Sequence, residues 1–322
     1  MSLFRVPFVG WLGLIRRPGF LSTCLLLGSL TAEAQAPGTP IDLRCEYLTT
    51  PLGLDAPRPR LTWRLHDDRR GAVQAAYQLA VGTDSLAVAR GNTAAWTSGK
   101  VPSAQQLATY GGPALRPFAK YYWRVRTWNG PNASGAASQV ASFETGLMNQ
   151  ANWQGTWISD TRDVALKPAP YFRTTFEVPR GLKSARAYIA VAGLYELYIN
   201  GRKVGNHRLD PMYTRFDRRT LYVTYDVTPY LQPGKNAVGV LLGNGWYNHQ
   251  STAVWYFHEA PWRNRPAFCL DLRLTDTANK VTTVTSGLDW KTALSPLIFN
   301  SIYTAEHYDA RLEQPGCSRR AS

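Results

Sequence analysis

Cysteine, histidine and acid are all scarce in this chain: 322 residues carry 4 Cys, 5 His and 22 Asp plus Glu, against 36 Lys plus Arg. Cys24, Cys45, Cys269 and Cys317 are widely spaced and form no CxxC, which argues against a disulfide framework or a thiolate zinc site. The histidines show no HxxxH or HExxH arrangement, so no metal ligands are indicated. There is no GxSxG elbow, no P-loop and no GxGxxG, which removes the serine-hydrolase and nucleotide-binding motifs. The longest apolar run, Phe20–Leu30, falls short of the roughly 18 residues a membrane-spanning helix needs. Low-complexity stretches and short internal repeats are absent too.

What is present begins with that run. Arg5, Arg16 and Arg17 precede it, and Ala32-Glu33-Ala34 supplies small residues beyond it. This is the layout of a secretory signal over residues 1–34, cleaved after Ala34 or Ala36. The expected location is therefore outside the cytoplasm: periplasmic, cell-surface or extracellular. The net charge of +14 is dispersed, with one richer stretch from Arg202 to Arg219. In an exported chain these read as solvated strand faces rather than a nucleic-acid surface, with an acidic polysaccharide as the other use.

The remainder reads as all-β. IDLRCEY, PRLTWRL and AAYQLAVG alternate apolar and polar residues between Pro and Gly clusters. In ALRPFAKYYWRVRTWN, Leu115 and Pro117 precede Tyr121, and Trp123, Val125 and Thr127 follow at period two. That is a tyrosine corner, in which the phenol ties a loop to its strand. Residues 38–147 thus resemble a fibronectin type III or immunoglobulin-like sandwich. A linker follows, and then strand-like runs almost free of helical periodicity over 150–314, as in a jelly-roll-like sandwich. Asn200-Gly201 marks a hairpin within it, because both residues tolerate positive φ. Asp226 opens a short turn, Asp309 with Arg311 forms a structural pair, and Cys269 in AFCLDLRL is a buried strand thiol or its outward neighbour.

Several motifs in this second half carry a family resemblance. WISD at 157–160, YFRTTFEV, ARAYIAVAGLYELYINGRKVGNHRLDP, TLYVTYDVTPYLQPGKNAVGVLLGNGWY and EHYDARLE at 306–313 are similar to the N-terminal sandwich of bacterial α-L-rhamnosidases. The resemblance implies an inverting glycoside hydrolase whose catalytic acid and base stand in an (α/α)6 barrel after this point. Pro211-Met212-Tyr213 departs from the family's usual Pro-Gly-Trp. Twelve helices with loops need about 190 residues, whereas CSRRAS alone follows Gly316. The expectation is a truncated, non-catalytic accessory region with an aberrant tail at 315–322. Calcium enters by family analogy only, since no acidic loop cluster names ligands. The alternatives are a self-standing carbohydrate-binding or adhesion module and a non-functional frameshift product.

Inverting hydrolysis needs two carboxyls flanking space for a water, and no spacing among Glu196, Asp210, Asp217, Asp289, Glu306 and Asp309 singles out a pair. The stretch LLGNGWYNHQ at 241–250 offers sugar-type chemistry instead, with Trp246 and Tyr247 as flat faces and Asn244 as a hydroxyl partner. Asp210 joins them as the candidate sugar-binding set, with rhamnose-containing glycans or glycosides as the implied partners. The same letters also fit a turn whose aromatics pack inward. Trp246, Trp255, Tyr256, Phe257 and Trp262 are crowded enough to form an apolar, self-associating patch.

Overall fold

The computed structural model describes residues 37–91, 96–130, 133–252 and 255–314. The expected signal segment, Cys24, Cys317 and the tail at 315–322 lie outside the described residues.

The first sandwich comprises β1 (Pro40–Cys45), β2 (Arg60–Leu65), β3 (Ala76–Gly82), β4 (Trp96–Thr97), β5 (Val101–Pro102), β6 (Leu107–Thr109), β7 (Lys120–Trp128) and β8 (Ala141–Glu144). One short helix, α1 (Ser85–Arg90), follows β3, its first amides capped by Asp84. Antiparallel sheets β1-β2-β6 and β4-β3-β7-β8 face each other, with β5 beside β3. Period-two burial in β7 sends Tyr121, Trp123, Val125 and Thr127 inward. They meet Leu61, Trp63, Leu79, Val81 and Phe143. The Tyr121 hydroxyl accepts the backbone N–H of Arg116 at 2.9 Å, which is the expected corner.

The second sandwich comprises β9 (Ile158–Ser159), β10 (Pro170–Val178), β11 (Leu182–Ala192), β12 (Leu194–Ile199), β13 (Arg202–Lys203), β14 (Tyr222–Asp226), β15 (Gly234–Gly243), β16 (Ala267–Asp276), β17 (Val281–Thr285) and β18 (Lys291–Leu294). A hairpin of β19 (Leu297–Ser301) and β20 (Ala305–Tyr308) lies beyond. One sheet runs β13-β12-β15-β10-β18; the other runs β14-β11-β16-β17, with β9 added to β16. Phe172, Leu197, Ile199, Val238, Val240 and Leu242 of the first sheet enclose the core with Ile189, Val191, Phe268, Leu270 and Leu272 of the second. Asn200 and Gly201 turn β12 into β13 with φ of 50° and 78°, the double positive φ of a type I′ hairpin.

β11 and β16 are buried on both faces, unlike a sheet with one solvated side. The outer side is covered in part by the first sandwich and in part by the segment at Gln154 and Gly155, which bonds to Asp271. Phe118 meets Tyr188 edge-on with ring centroids 5.2 Å apart and lies 3.8 Å beneath the Arg273 guanidinium. Glu144 receives a bidentate pair of bonds from Arg186 at 2.7 and 2.8 Å. Cys45 and Cys269 are buried in different sandwiches, and burial pushes their thiols up to about 12 and about 11. Cys269 is thus a buried strand thiol, on the side of β16 away from the inward Phe268 and Leu270. Among the described residues no helix is long and apolar enough to cross a membrane, and no group of three His, Cys, Asp or Glu is placed to hold a metal.

Candidate functional site

The 241–250 stretch divides its residues between two jobs. Gly245 has φ +50°, and a Cβ there would stand 2.9 Å from Leu194 Cγ, so the turn at the end of β15 requires glycine. Asn244 is buried and its groups are used internally. Its N–H donates to Asn300 Oδ1 at 2.7 Å, its Nδ2 to the Asn300 carbonyl at 3.2 Å, and its Oδ1 accepts from Asn248 at 3.1 Å. Asn248 in turn donates to the Val164 carbonyl at 3.0 Å and accepts from Arg263 at 3.1 Å. These amides tie three loops together, and buried polar groups are expected to be spent in this way.

Trp246 is half-buried among Phe257, Tyr303, His249 and Tyr213, with ring centroids 4.9 to 6.0 Å away. Asp210 stands elsewhere, 2.6 Å from His207 Nδ1 and at the end of a chain of hydroxyls through Tyr225 and Tyr195. Burial, together with that neighbouring carboxylate, pushes the Tyr225 phenol up to about 12 and the Tyr195 phenol upward as well. Of the four expected sugar-binding residues, Tyr247 alone lines a cleft of about 630 Å³. The expected apolar patch also divides. Phe257 and Trp262 turn toward Trp246 and one another, while Trp255 and Tyr256 are 81% and 74% exposed.

The cleft is built by a pinned segment, Trp153 to Asp160. Asp271 on β16 accepts the N–H groups of Gln154 and Gly155 at 3.0 and 2.7 Å. A Cβ on Gly155 would lie 2.6 Å from the Leu270 carbonyl, so glycine lets this segment approach the sheet. Ser286 accepts the Thr156 N–H through its carbonyl at 3.0 Å and donates its hydroxyl to the Thr156 carbonyl at 2.6 Å. Ile158 then pairs with Phe268, and buried Asp160 receives Arg265 through two bonds of 2.7 Å. Trp157 is left 49% exposed at the cleft wall. Trp153 stands edge-on to Tyr222 at 5.8 Å. The Tyr222 hydroxyl donates to Asp55 at 2.8 Å and accepts the Leu147 N–H at 3.2 Å.

The opposite rim is the loop Phe216 to Thr220. The arginines here were expected on solvated strand faces. They stand instead on a loop, because Asn206–Thr220 pairs with no strand and is held locally. Arg215 grips Asp217 through two bonds of 2.9 and 3.0 Å, Arg218 stands 3.9 Å from the same carboxylate, and Arg219 is a further cation at the rim. Both cleft carboxylates are engaged: Asp217 by Arg215, and Asp55 by Tyr222 and the Met148 N–H at 2.7 Å. The arrangement therefore offers aromatic faces and hydrogen-bonding groups around small floor residues, Ala190, Ala192 and Ala267. Sequence reading missed Trp153 and Trp157 as site residues. The signal was available in WISD and in two tryptophans four apart beside a linker.

The fold defines a class: an immunoglobulin-like sandwich docked on a larger antiparallel sandwich, with a cleft walled by aromatic and charged residues. Residues 40–149 match the family described as "Rha78A-like, N-terminal immunoglobulin domain", and residues 180–321 match "Alpha-L-rhamnosidase N-terminal domain". The two sandwiches are therefore domains of the kinds that stand at the N-terminus of α-L-rhamnosidases. An α-L-rhamnosidase of Alteromonas sp. is 32% identical over 286 residues, covering 85% of this chain and 30% of that protein. One from Formosa agariphila is 29% identical over 299 residues, covering 82% and 30%. The solved structure of the Dictyoglomus thermophilum α-L-rhamnosidase superposes with a TM-score of 0.80 at 34% identity, over 88% of this chain and 33% of that one. The chain thus spans about a third or less of the relatives it matches.

Proposed function

We propose that this region serves an exported α-L-rhamnosidase as a non-catalytic accessory part that holds rhamnose-containing glycans at the cleft between linker and loop. The observation that carries the reading is the exposed indole of Trp157, braced by a buried ion pair at the wall of a cleft rimmed by Arg218, Arg219 and Tyr247. An exposed aromatic face held rigid stacks on the apolar face of a sugar ring at small entropic cost, and the rim supplies hydroxyl partners. The hydrolytic step is assigned to the portion of the relatives outside the third matched here, in keeping with cleft carboxylates that are both engaged. Export is read from the Arg-flanked apolar run Phe20–Leu30. Self-association is read from Trp255 and Tyr256, which are exposed in a loop whose Phe257 meets Tyr213 of the loop bearing exposed Met212, with ring centroids 6.0 Å apart.

A single monosaccharide in an open cleft buries few atoms, so L-rhamnose binding is expected near −4 to −6 kcal/mol, about millimolar to high micromolar. Titration of the full chain with L-rhamnose tests this. Trp157→Ala is expected to abolish binding, while Trp255→Ala, outside the cleft, leaves it intact. Release of p-nitrophenol from an aryl α-L-rhamnoside by the purified chain is expected to stay at the buffer rate. Turnover above it, or rhamnose binding indifferent to Trp157, refutes the reading.

A further inference from the structure

The outer face of the β13-β12-β15-β10-β18 sheet carries a second concavity, on the sheet that does not supply the cleft's floor. Period two sends Phe172, Leu197, Val238 and Val240 into the core, and so turns Arg173, Tyr198 and Gly239 outward. These three lie in one cross-strand row, Tyr198–Gly239–Arg173, which Lys291 of β18 continues. Strands repeat about every 4.8 Å. A tyrosine wall and an arginine wall are thereby set about 10 Å apart over a floor that has no side chain. The next row, Glu196–Leu241–Tyr171, extends the floor. Tyr308 of β20, with Glu313 just beyond it, closes one side, leaving adjoining hollows of about 240 and 460 Å³.

The charges in this trough are unequally satisfied. Glu196 accepts from Lys203 and the Tyr198 hydroxyl, and Glu313 accepts from the Tyr308 hydroxyl at 2.9 Å. Arg173 stands in no ion pair among the described residues, and its enclosed Nε has no hydrogen-bond partner there. A donor enclosed without an acceptor is costly, and here it belongs to the inner edge of a guanidinium that faces the hollow. Its planar fork of N–H donors matches a carboxylate bidentately. Tyrosines on the facing wall supply the flat surface and hydroxyls that a pyranose ring uses.

We infer that this trough is an acidic-sugar subsite, in which Arg173 reads the carboxylate of a hexuronate residue and Tyr198 and Tyr308 flank its ring. The class of ligand rests on the glycan reading above, but the residues are separate from the cleft. Calorimetric titration of the full chain with methyl β-D-glucuronoside and methyl β-D-galacturonoside tests it, against methyl β-D-glucoside and acetate. At least one uronoside is expected to saturate, with the glucoside about tenfold or more weaker and acetate a poor competitor. Arg173→Gln is expected to cost about 10- to 100-fold in Kd, the range of a charged hydrogen-bond pair. Gly239→Leu fills the floor from a position whose Cβ meets only the Phe172 carbonyl, at 3.6 Å. It should abolish binding in a chain whose thermal unfolding shows it folded. Trp157→Ala should leave uronoside binding intact while removing rhamnose binding, which separates failure here from failure of the cleft. No uronoside binding, equal binding of the glucoside, equal competition by acetate, or indifference to both trough substitutions overturns the inference.

Discussion

Replacing Arg265 by methionine removes the partner of a carboxylate that has no access to water. Asp160 and Arg265 have side chains 0% and 3% exposed and share two bonds of 2.7 Å. The same guanidinium donates to the Leu166 carbonyl at 2.9 Å. Arg162 is the other cation near Asp160, 3.3 Å away and itself partly exposed. Breaking a buried pair from one side strands a charge and costs about 3–5 kcal/mol. The pH dependence carries the sign. Burial by itself raises the Asp160 pKa, and Arg265 and then Arg162 override it, so the folded value lies below the ordinary 3.8. In the wild type this carboxylate contributes stability above the unfolded pKa, lost as pH falls through the folded one. Without Arg265 burial dominates and the folded pKa rises, so the penalty is fully present near pH 7 and is relieved on acidification. Urea unfolding followed by tryptophan fluorescence at pH 7 and pH 4 measures the wild-type to variant gap. The gap should narrow at pH 4, and Asp160→Leu with Arg265→Met should recover most of the loss. A pH-independent gap, or no recovery in the double variant, refutes the reasoning. Because the pair ends the segment bearing Trp157, the single variant should also weaken rhamnose binding.

Tyr121→Phe removes the corner bond to the Arg116 N–H and is expected to lower the urea midpoint by the equivalent of about 1–3 kcal/mol; an unchanged midpoint counts against the corner. His249 is buried among aromatic rings, and burial, with the charges of His258 and Arg263, holds its pKa below the ordinary 6.5. The unfolded chain therefore takes up a proton that the folded one refuses, and stability should fall as pH drops below 6.5, a limb that His249→Phe should flatten in the same unfolding assay. Sedimentation velocity at high concentration is expected to show association that Trp255→Ser with Tyr256→Ser removes, and a clean wild-type monomer contradicts it.

The local devices of the fold were legible because each is written within a few residues. Leu115, Pro117 and Tyr121 form the corner, Asn200-Gly201 the hairpin, and Asp226 accepts the Thr228 N–H at 3.0 Å as a turn residue. Asp309 holds Arg311 through two bonds, as its sequence neighbourhood implied. The site was less legible. Asn244 reads as a free amide until Asn300, 56 residues on, accepts its backbone N–H and a bond from its Nδ2. Arg215 to Arg219 look like strand residues by composition but stand on a loop. Nothing in their own window shows that no partner strand will come.

The cleft itself depends on contacts no window contains. Asp271 lies 117 residues beyond Gln154, and Arg265 lies 105 beyond Asp160. Both belong to β16 or its approach, and β16 also supplies Phe268, Leu270 and Leu272 to the core. Its alternate residues thus serve opposite masters: the inward set closes the second sandwich, while Asp271 pins the tryptophan segment and Arg273 lies over Phe118 of the first sandwich. Slipping β16 by one residue would exchange these faces, turning Asp271 and Arg273 into the apolar core and taking both from their partners. The hydrophobic pattern that fixes the register of β16 therefore also fixes where Trp157 stands.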